Sequence, residues 1–333
     1  MVYSMPDLMP STRTEATTAN ADGNVTQREL ESVSSAGGGG TDRGMWVFLL
    51  GLTAGTLLQA KPWLLVIQGA LVDRLYSYVL LIPFICGWLI WQNRPASLRS
   101  SGGSPVLGGI LAVGAILLAY WGISARTQGV ITGETSWLTT QIGAWVIYVW
   151  ALALGLMGRA WVWANAFALG FLVFTVPMPD PMVANIERSL QIASADMSDW
   201  MFSFAGTPYI REGRSFWFPN LHIEVAPECS GIRSTLVLFI TGILGSHLLL
   251  RQMVHRCALV ASIVPLGILR NGIRILTLTM LSVHVDPRIM TSALHRRGGP
   301  LFFAVSLIPL FVLIWWLVRR ERRINGPPTE KDR

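Results

Sequence analysis

One cysteine of the sequence stands where its thiol could act as a nucleophile. Cys229 opens an apolar run of residues 229–250 and directly follows Glu228. In the first turn of a helix the thiol has a lowered pKa, because the positive end of the helix dipole favours the reactive thiolate. Arg233, one turn further on, would strengthen this effect and Glu228 would oppose it. The alternative is that Cys229 is a small packing residue.

Two arginines interrupt the apolar run of residues 257–283. An arginine at the middle of a bilayer costs about 2.5–3.5 kcal/mol on insertion scales, so such residues usually have a functional role. Arg270 and Arg274 are four residues apart and therefore share one face of a helix. They could donate hydrogen bonds to a developing oxyanion. The alternative is that both arginines snorkel or satisfy backbone carbonyls.

A histidine precedes the last apolar run of the sequence. His295 is followed by two arginines and two glycines. A cysteine nucleophile needs a base for its activation and an acid for the leaving amine, and histidine can serve as both. Cys229, Arg274 and His295 would form an acyl-transfer site if they lie at one membrane face. His284 is a competing histidine on the same side, and His222 is a weaker one.

The composition places these residues in a membrane protein. The 333 residues are 52% hydrophobic and only 14% charged, whereas soluble domains average about 25% charged residues. Eight apolar runs approach the roughly 20 residues that cross a bilayer as a helix. These runs are 45–60, 75–92, 105–123, 136–156, 160–177, 229–250, 257–283 and 300–318. The sequence therefore predicts an all-α polytopic membrane protein and excludes a soluble enzyme, a nucleic-acid-binding domain and a disulfide scaffold.

Polar segments flank the predicted membrane domain of residues 45–318. Residues 1–44 are rich in Ser, Thr, Ala and Gly and contain no apolar run, which predicts a disordered cytoplasmic extension. Residues 319–333 open with an arginine cluster and form a predicted basic cytoplasmic tail. Eight spans place both ends on the same side of the membrane, and the basic residues at most short connections favour the inside under the positive-inside rule. The loop 284–299 opposes the rule, because its three arginines would lie outside.

Two stretches have features beyond those of plain spans or loops. Lys61 and Pro62 break the first apolar run, so we expect 61–74 to be re-entrant or interfacial, with one long kinked first span as the alternative. The segment 178–228 is predicted to lie at the outer face, with an amphipathic helix and then a short strand near residues 221–225. The apolar residues of this helix recur at helical spacing, and they are Met182, Ile186, Leu190, Met197, Met201 and Phe204.

Motifs for metals, cofactors and phosphates are missing from the sequence. It contains no HExxH, CxxC, GxGxxG or GxSxG pattern, so we expect neither a metal site nor a cofactor. The pair His222 and Glu224 would point to one side of a strand, but two ligands do not make a metal site. Gly51 and Gly55 form a GxxxG pattern that allows close helix packing and is common in membranes.

Taken together, these motifs resemble the exosortase/archaeosortase family over roughly residues 45–318. The resemblance rests on Pro227-Glu228-Cys229-Ser230-Gly231-Ile232-Arg233-Ser234, Arg270-Asn271-Gly272-Ile273-Arg274-Ile275, His295 with its glycines, and Val176-Pro177-Met178-Pro179. It implies a bacterial or archaeal membrane transpeptidase that is analogous to sortase by convergence. It further implies that Cys229, Arg274 and His295 are catalytic, supported by Arg233, Arg270 and Asn271. The residues alone leave open whether the catalytic arginine is Arg274 or instead Arg233 or Arg270.

The resemblance also implies a substrate class. The enzyme would cut C-terminal sorting signals of the PEP-CTERM type from exported proteins, at the outer face of the cytoplasmic membrane. Such a signal has a Pro-Glu-Pro-like motif, a membrane helix and a basic tail. The cut protein would pass to an acceptor that is not identified, for which an exopolysaccharide-related molecule is one candidate. The substrate's glutamate needs basic partners, and Arg211, Arg214, Arg296 and Arg297 are available on that face.

Three rival hypotheses remain at the level of sequence. An intramembrane cysteine protease with water as the acceptor would use the same three residues. A transporter would line a polar path with Arg270 and Arg274, and it predicts internal repeats, of which the sequence shows no convincing example. A structural membrane assembly protein would tolerate replacement of Cys229.

Overall fold

The computed structural model describes residues 44–72, 76–93, 102–219, 221–225, 230–286, 288 and 299–325. The predicted polar extension, apart from residue 44, and the end of the basic tail lie outside these residues. So do Arg94 and Arg99, which lie in the short connection between the predicted spans 75–92 and 105–123. The described chain is mostly helical, with one small sheet.

The helices follow one another with short connections. In chain order they are α1 (Gly44–Leu58), α2 (Ala60–Val72), α3 (Ile82–Gln92), α4 (Pro105–Thr127), α5 (Glu134–Leu152), α6 (Arg159–Ala164), α7 (Ala166–Phe171), α8 (Asp180–Ala205), α9 (Ile232–Leu249), α10 (Met253–His284) and α11 (Gly299–Asn325). A π-helical turn (Ala153–Met157) extends α5, and a 3-10 turn (Leu172–Thr175) follows α7.

Within the described residues, five helices are long and apolar enough to cross a membrane: α4, α5 with its π turn, α9, α10 and α11. The number rises to seven if each of two bent helix pairs counts as one span. The prediction of an all-α polytopic membrane protein is confirmed, although the apolar runs had indicated eight spans.

Two of the predicted spans differ from the structure for local reasons. In the run 75–92 only Ile82–Gln92 is helical, because Pro83 sets the start of α3, and this helix is too short to cross a bilayer. The run 160–177 is divided into α6 and α7 at Asn165, whose side-chain amide donates to the carbonyl of Trp161 at 3.0 Å. After the 3-10 turn the chain bends by 91° into α8.

The structure has a helix break close to the predicted one. Helix α1 ends at Leu58 and α2 begins at Ala60, so the break lies at Gln59, just before Lys61 and Pro62. The two helices meet at an angle of 75°, which is the geometry of a broken span or a re-entrant loop. Proline in the first turn of α2 lacks the backbone donor that a continuous helix would need, and its ring would clash with the preceding turn.

Glycines set the distance between neighbouring helices of the membrane domain. A Cβ on Gly55 would lie 2.1 Å from Cε1 of Tyr148, whose hydroxyl donates to the carbonyl oxygen of Gly51 at 2.8 Å. A Cβ on Gly108 of α4 would lie 2.6 Å from Cα of Gly155. The GxxxG pattern therefore contacts α5 closely, as the sequence allowed.

The segment that the sequence predicts at the outer face forms a small module on α10, called the outer module after that prediction. Strands β1 (Ile210–Glu212), β2 (Ser215–Phe218) and β3 (Leu221–Glu224) form an antiparallel sheet in that order. Its buried side packs on α8 and α10 through an apolar cluster of Ala195, Phe202, Phe216, Phe218, Ile223, Val225 and Ile275. The predicted strand is β3, and the preceding hairpin of β1 and β2 was not predicted.

Helix α8 is present as predicted, and the middle of its apolar stripe packs on the protein: Leu190 is buried and Met197 lies against Gly272 of α10. Met182 and Phe204 are exposed, whereas Ser194 and Ser198 are buried. The reason is that α8 lies along α10, which offers it polar groups as well as apolar ones. The buried face of α8 is therefore partly polar.

The last helix is tied to the start of α10 by a buried carboxylate. Helix α11 continues to Asn325, so the predicted tail begins within it, and Glu321 is only 6% exposed. Its oxygens accept from the backbone N–H groups of Arg251 and Gln252, each at 2.9 Å, and lie 2.9 Å from Nδ1 of His255. Backbone donors at a helix N-terminus lack intrahelical partners, and the helix dipole favours an anion there.

Replacing Glu321 with glutamine should lower the stability of the protein. Glu321→Gln keeps the side-chain size but removes the charge and one acceptor, which costs about 1–3 kcal/mol for a buried group. We expect a fall of several degrees in the thermal unfolding midpoint of the detergent-solubilised protein. Arg322→Gln, at the exposed neighbouring position, is the control. Equal midpoints for Glu321→Gln and wild type would show that this carboxylate does not hold the two helices together.

Candidate active site

The two arginines singled out by the sequence lie in the middle of α10. Arg270 is buried, with 7% of its surface exposed, and Arg274 is half-buried one turn further on. Helix α8 packs on one side of this stretch and α9 on another. The predicted pair therefore lies at a junction of three helices.

Arg270 contacts the backbone at the start of α9. Its Nη2 donates to the carbonyl oxygen of Gly231 at 3.4 Å. Gly231 has φ +72°, a conformation that disfavours other residues, and a Cβ at this position would lie 2.8 Å from the same Nη2. Glycine is thus required both by the backbone conformation and by the close approach of Arg270.

The second terminal nitrogen of Arg270 has a different environment. Nη1 is buried and has no hydrogen-bond partner within the described ranges of the chain. Buried donors in proteins nearly always have a partner. This N–H group is therefore able to bind an acceptor that the described residues do not supply.

Asn271 connects the same stretch of α10 to α8. Its Nδ2 donates to Oγ of Ser194 at 2.9 Å, and both side chains are buried. Two consecutive residues of α10 thus form hydrogen bonds to neighbouring helices. Arg270 donates to the start of α9, and Asn271 donates to the middle of α8. Ser194 was not predicted from the sequence, because apolar periodicity gives no weight to a buried serine.

Two glycines allow this close packing around Arg270 and Asn271. A Cβ on Gly267 would lie 2.7 Å from Oγ1 of Thr235 in α9, and one on Gly272 would lie 2.7 Å from Cγ of Met197 in α8. Both glycines are visible in the sequence on either side of Arg270. In the sequence, these two glycines are the signal that α10 has close neighbours on two sides, because a residue without a side chain lets another helix approach.

The remaining predicted residues have different positions. Arg233 is exposed in the first turn of α9. Cys229, His295, Arg296 and Arg297 lie outside the described residues. The described chain resumes after Cys229 at Ser230, which is buried and whose Oγ accepts from the backbone N–H of Ile232 at 3.4 Å.

The two competing histidines are not brought to Arg274. His284 is ten residues further along α10, which corresponds to about 15 Å along the helix axis, and its Nε2 lies 3.3 Å from Oγ1 of Thr207. His222 is exposed on the outer side of β3 and stacks on Trp217, with 3.9 Å between ring centroids.

Arg211 is already paired within the outer module. It forms ion pairs with Asp196 and with Asp199, the latter at 3.1 Å, and its pKa is raised by Asp196. Tyr209 donates to Oδ1 of Asp199 at 2.8 Å, and burial together with this hydrogen bond raises the pKa of Tyr209. Arg214 donates instead to the neutral side chain of Gln191.

The described residues contain no cluster of three or more His, Cys, Asp or Glu side chains that could hold a metal ion.

Comparison with known proteins identifies the family. A family model described as transmembrane exosortase matches residues 68–312. The chain belongs to the transmembrane exosortase family. The match extends from α2 to α11, so the resemblance to the exosortase family is confirmed. Neither the curated proteins nor the solved structures gave a match.

Proposed function

We propose that this exosortase is a cysteine transpeptidase that cleaves C-terminal sorting signals of the PEP-CTERM type. The reaction would take place at the outer face of the cytoplasmic membrane. One observation supports this proposal above the others: buried Arg270 bonds to the backbone of Gly231, two residues after Cys229, and Arg274 lies one turn away on the same helix. Cationic donors are thus held near the expected nucleophile, where acyl transfer needs them.

The proposed reaction has two steps. The Cys229 thiolate bonds to the carbonyl carbon of the scissile peptide, and the C–N bond breaks as His295 gives a proton to the leaving amine. An acceptor nucleophile then loses a proton to His295 and attacks the thioester carbon, and the C–S bond breaks to restore the thiolate. Arg274 stabilises the oxyanion that develops in each step.

The three arginines would have different roles because their burial differs. Half-buried Arg274 is shielded from water yet accessible to a substrate, which suits a group that contacts the reacting atoms. Buried Arg270 would position the turn at Gly231. Exposed Arg233 would act at most through its charge, which solvent screens.

The position of the arginines argues against a transport path. Transporters bind ions where membrane helices are broken. Among the described residues, the two sharp bends lie between α1 and α2 and between α7 and α8, whereas α10 is continuous through both arginines.

Product analysis tests the proposed function. We would co-express the protein with a tagged reporter that ends in a Pro-Glu-Pro motif, a membrane helix and a basic tail, and measure the reporter's new C-terminus by mass spectrometry. We expect a shortened reporter with an added acceptor mass. A free carboxylate would indicate hydrolysis by water instead. Identical reporters in cells with and without the protein would contradict both reactions, and a reporter with a scrambled motif is the control.

A further inference from the structure

A cluster of exposed arginines lies near the end of α11, where this helix meets the start of α10. We call this cluster the basic end of α11, and it consists of Arg319, Arg320, Arg322 and Arg323. No carboxylate among the described residues forms an ion pair with any of the four. Their charges are therefore available to a ligand.

The charges around the basic end of α11 do not cancel. The described residues of α11 and of the stretch 250–256, where α9 leads into α10, contain six arginines but only one carboxylate, Glu321. This carboxylate is buried and is engaged by two backbone N–H groups and by His255. The other described carboxylates lie on or beside α8 and its sheet, or after the far end of α10. In the sequence, residues 326–333 add two acidic and two basic side chains, which leaves the positive surplus unchanged.

The spacing of these residues places all four arginines on one side of α11. Side chains three and four positions apart are neighbours on a helix surface. Two adjacent columns follow this spacing, and they are Trp315–Arg319–Arg322 and Trp316–Arg320–Arg323. Leu317 and Glu321 lie on the opposite side of the helix and are buried. The basic end of α11 therefore faces away from the protein.

The first column continues an exposed apolar row along the same helix. At the same spacing, this row contains Leu301, Val305, Ile308 and Val312, each at least half exposed. Helix α11 is long and apolar enough to cross a membrane, so its exposed row contacts lipid chains. The arginines then lie at the depth of the lipid headgroups, because tryptophans such as Trp315 and Trp316 are typical of the membrane interface.

Both tryptophans hold a guanidinium group above their rings. Cζ of Arg319 lies 5.0 Å from the ring centroid of Trp315, and Cζ of Arg320 lies 5.3 Å from that of Trp316. These distances are within the range of cation–π interactions. A stacked guanidinium keeps the N–H donors at its edge, where they match the geometry of a phosphate group.

We propose that the basic end of α11 binds the headgroup phosphate of an anionic phospholipid. Arg319 and Arg320 donate to the phosphate oxygens, and Trp315 and Trp316 contact the adjoining glycerol and chains. A phospholipid is favoured over free phosphate, because the apolar row that leads to the tryptophans contacts the chains of the same molecule. An anionic headgroup is favoured over a choline headgroup, whose cation the surplus of arginines would repel. The proposal does not depend on the proposed function.

A lipid-binding measurement tests this proposal. The full-length protein in neutral detergent is titrated with phosphatidylglycerol or phosphatidylcholine that has a dansyl label on an acyl chain, and energy transfer from tryptophan gives each Kd. We expect the wild type to bind phosphatidylglycerol at least tenfold more tightly. Arg319→Gln with Arg320→Gln should raise the Kd for phosphatidylglycerol about tenfold or more, since each arginine near an anionic lipid surface contributes roughly a factor of five. The Kd for phosphatidylcholine should not change.

A second pair of arginines provides the matched control. Arg126 is exposed at the end of the candidate span α4 and lies over a tryptophan, 4.4 Å from the ring centroid of Trp137, but its helix contains no second arginine. Arg188 is exposed on α8. Arg126→Gln with Arg188→Gln removes the same charge as the first pair and should bind phosphatidylglycerol as the wild type does.

Three results would overturn the proposal: equal affinity of the wild type for the two lipids, an unchanged Kd in the Arg319→Gln and Arg320→Gln variant, or an equal loss in the control pair. Release of bound phosphatidylglycerol by millimolar inorganic phosphate, but not by the same concentration of chloride, would assign the arginines to free phosphate instead.

Discussion

Processing of the reporter is expected to disappear in the Cys229→Ala variant. The proposed reaction has no other nucleophile, and loss of the nucleophile in comparable hydrolases lowers the rate by roughly 10³-fold or more. Quantitative mass spectrometry of the reporter's C-terminus over time would measure this loss. The thermal unfolding midpoint should stay close to that of the wild type, because alanine is only slightly smaller than cysteine.

The chain itself provides two matched controls for this experiment. Cys86 is buried in α3, and Cys257 is exposed near the start of α10. Neither has a proposed role in the reaction, so Cys86→Ala and Cys257→Ala should process the reporter at wild-type rates. If Cys229→Ala also processes the reporter normally, the cysteine is structural and the transpeptidase proposal fails.

The second large effect is expected at Arg274. Removing one donor to an oxyanion typically lowers the turnover rate by about 10²–10³-fold. We therefore expect Arg274→Gln to reduce kcat for reporter processing by that factor, with little change in KM. The unfolding midpoint should change little, since this side chain is only half-buried.

Variants of the neighbouring arginines test whether Arg274 is the residue that stabilises the oxyanion. Arg270→Gln should lower both kcat and the unfolding midpoint, because it disturbs the bond to Gly231 in a buried site. Arg233→Gln, at an exposed position, should change kcat less than threefold. A larger loss of kcat in Arg233→Gln than in Arg274→Gln would assign the oxyanion to Arg233 instead.

A positioning role for Arg270 also predicts a difference in thiol reactivity. Alkylation of Cys229, followed against pH in a background without Cys86 and Cys257, reports the pKa of this thiol. Arg270→Gln should change that profile even where the protein remains folded. A merely structural role for Arg270 would leave the profile unchanged and lower only the unfolding midpoint.

Much of the fold follows from the distribution of apolar residues. The runs that became α4, α5, α9, α10 and α11 were predicted because each is long enough to cross a bilayer as one helix. The run 160–177 was misleading, since apolar length does not reveal that Asn165 ends one short helix and begins another.

In the outer module, sequence patterns predicted one strand but missed another strand and the polar buried face of α8. Strand β3 alternates between buried and exposed residues and was predicted, whereas β1 has three residues and gave no usable pattern. The polar buried face of α8 was missed for a different reason. Its partner on α10 is Asn271, and hydrophobic periodicity detects only faces that meet apolar partners.

The sequence by itself determined the membrane class, the main helices and the order of the cysteine, arginine and histidine motifs. Only the tertiary structure decided which arginine is buried, which is half-buried and which is already paired. Arg270 donates a hydrogen bond to Gly231, 39 positions away along the chain, and Asn271 donates one to Ser194, 77 positions away. The spacing of two residues shows whether they lie on the same side of a helix. Their solvation and their hydrogen bonds depend on the residues packed against that side, which the spacing does not reveal.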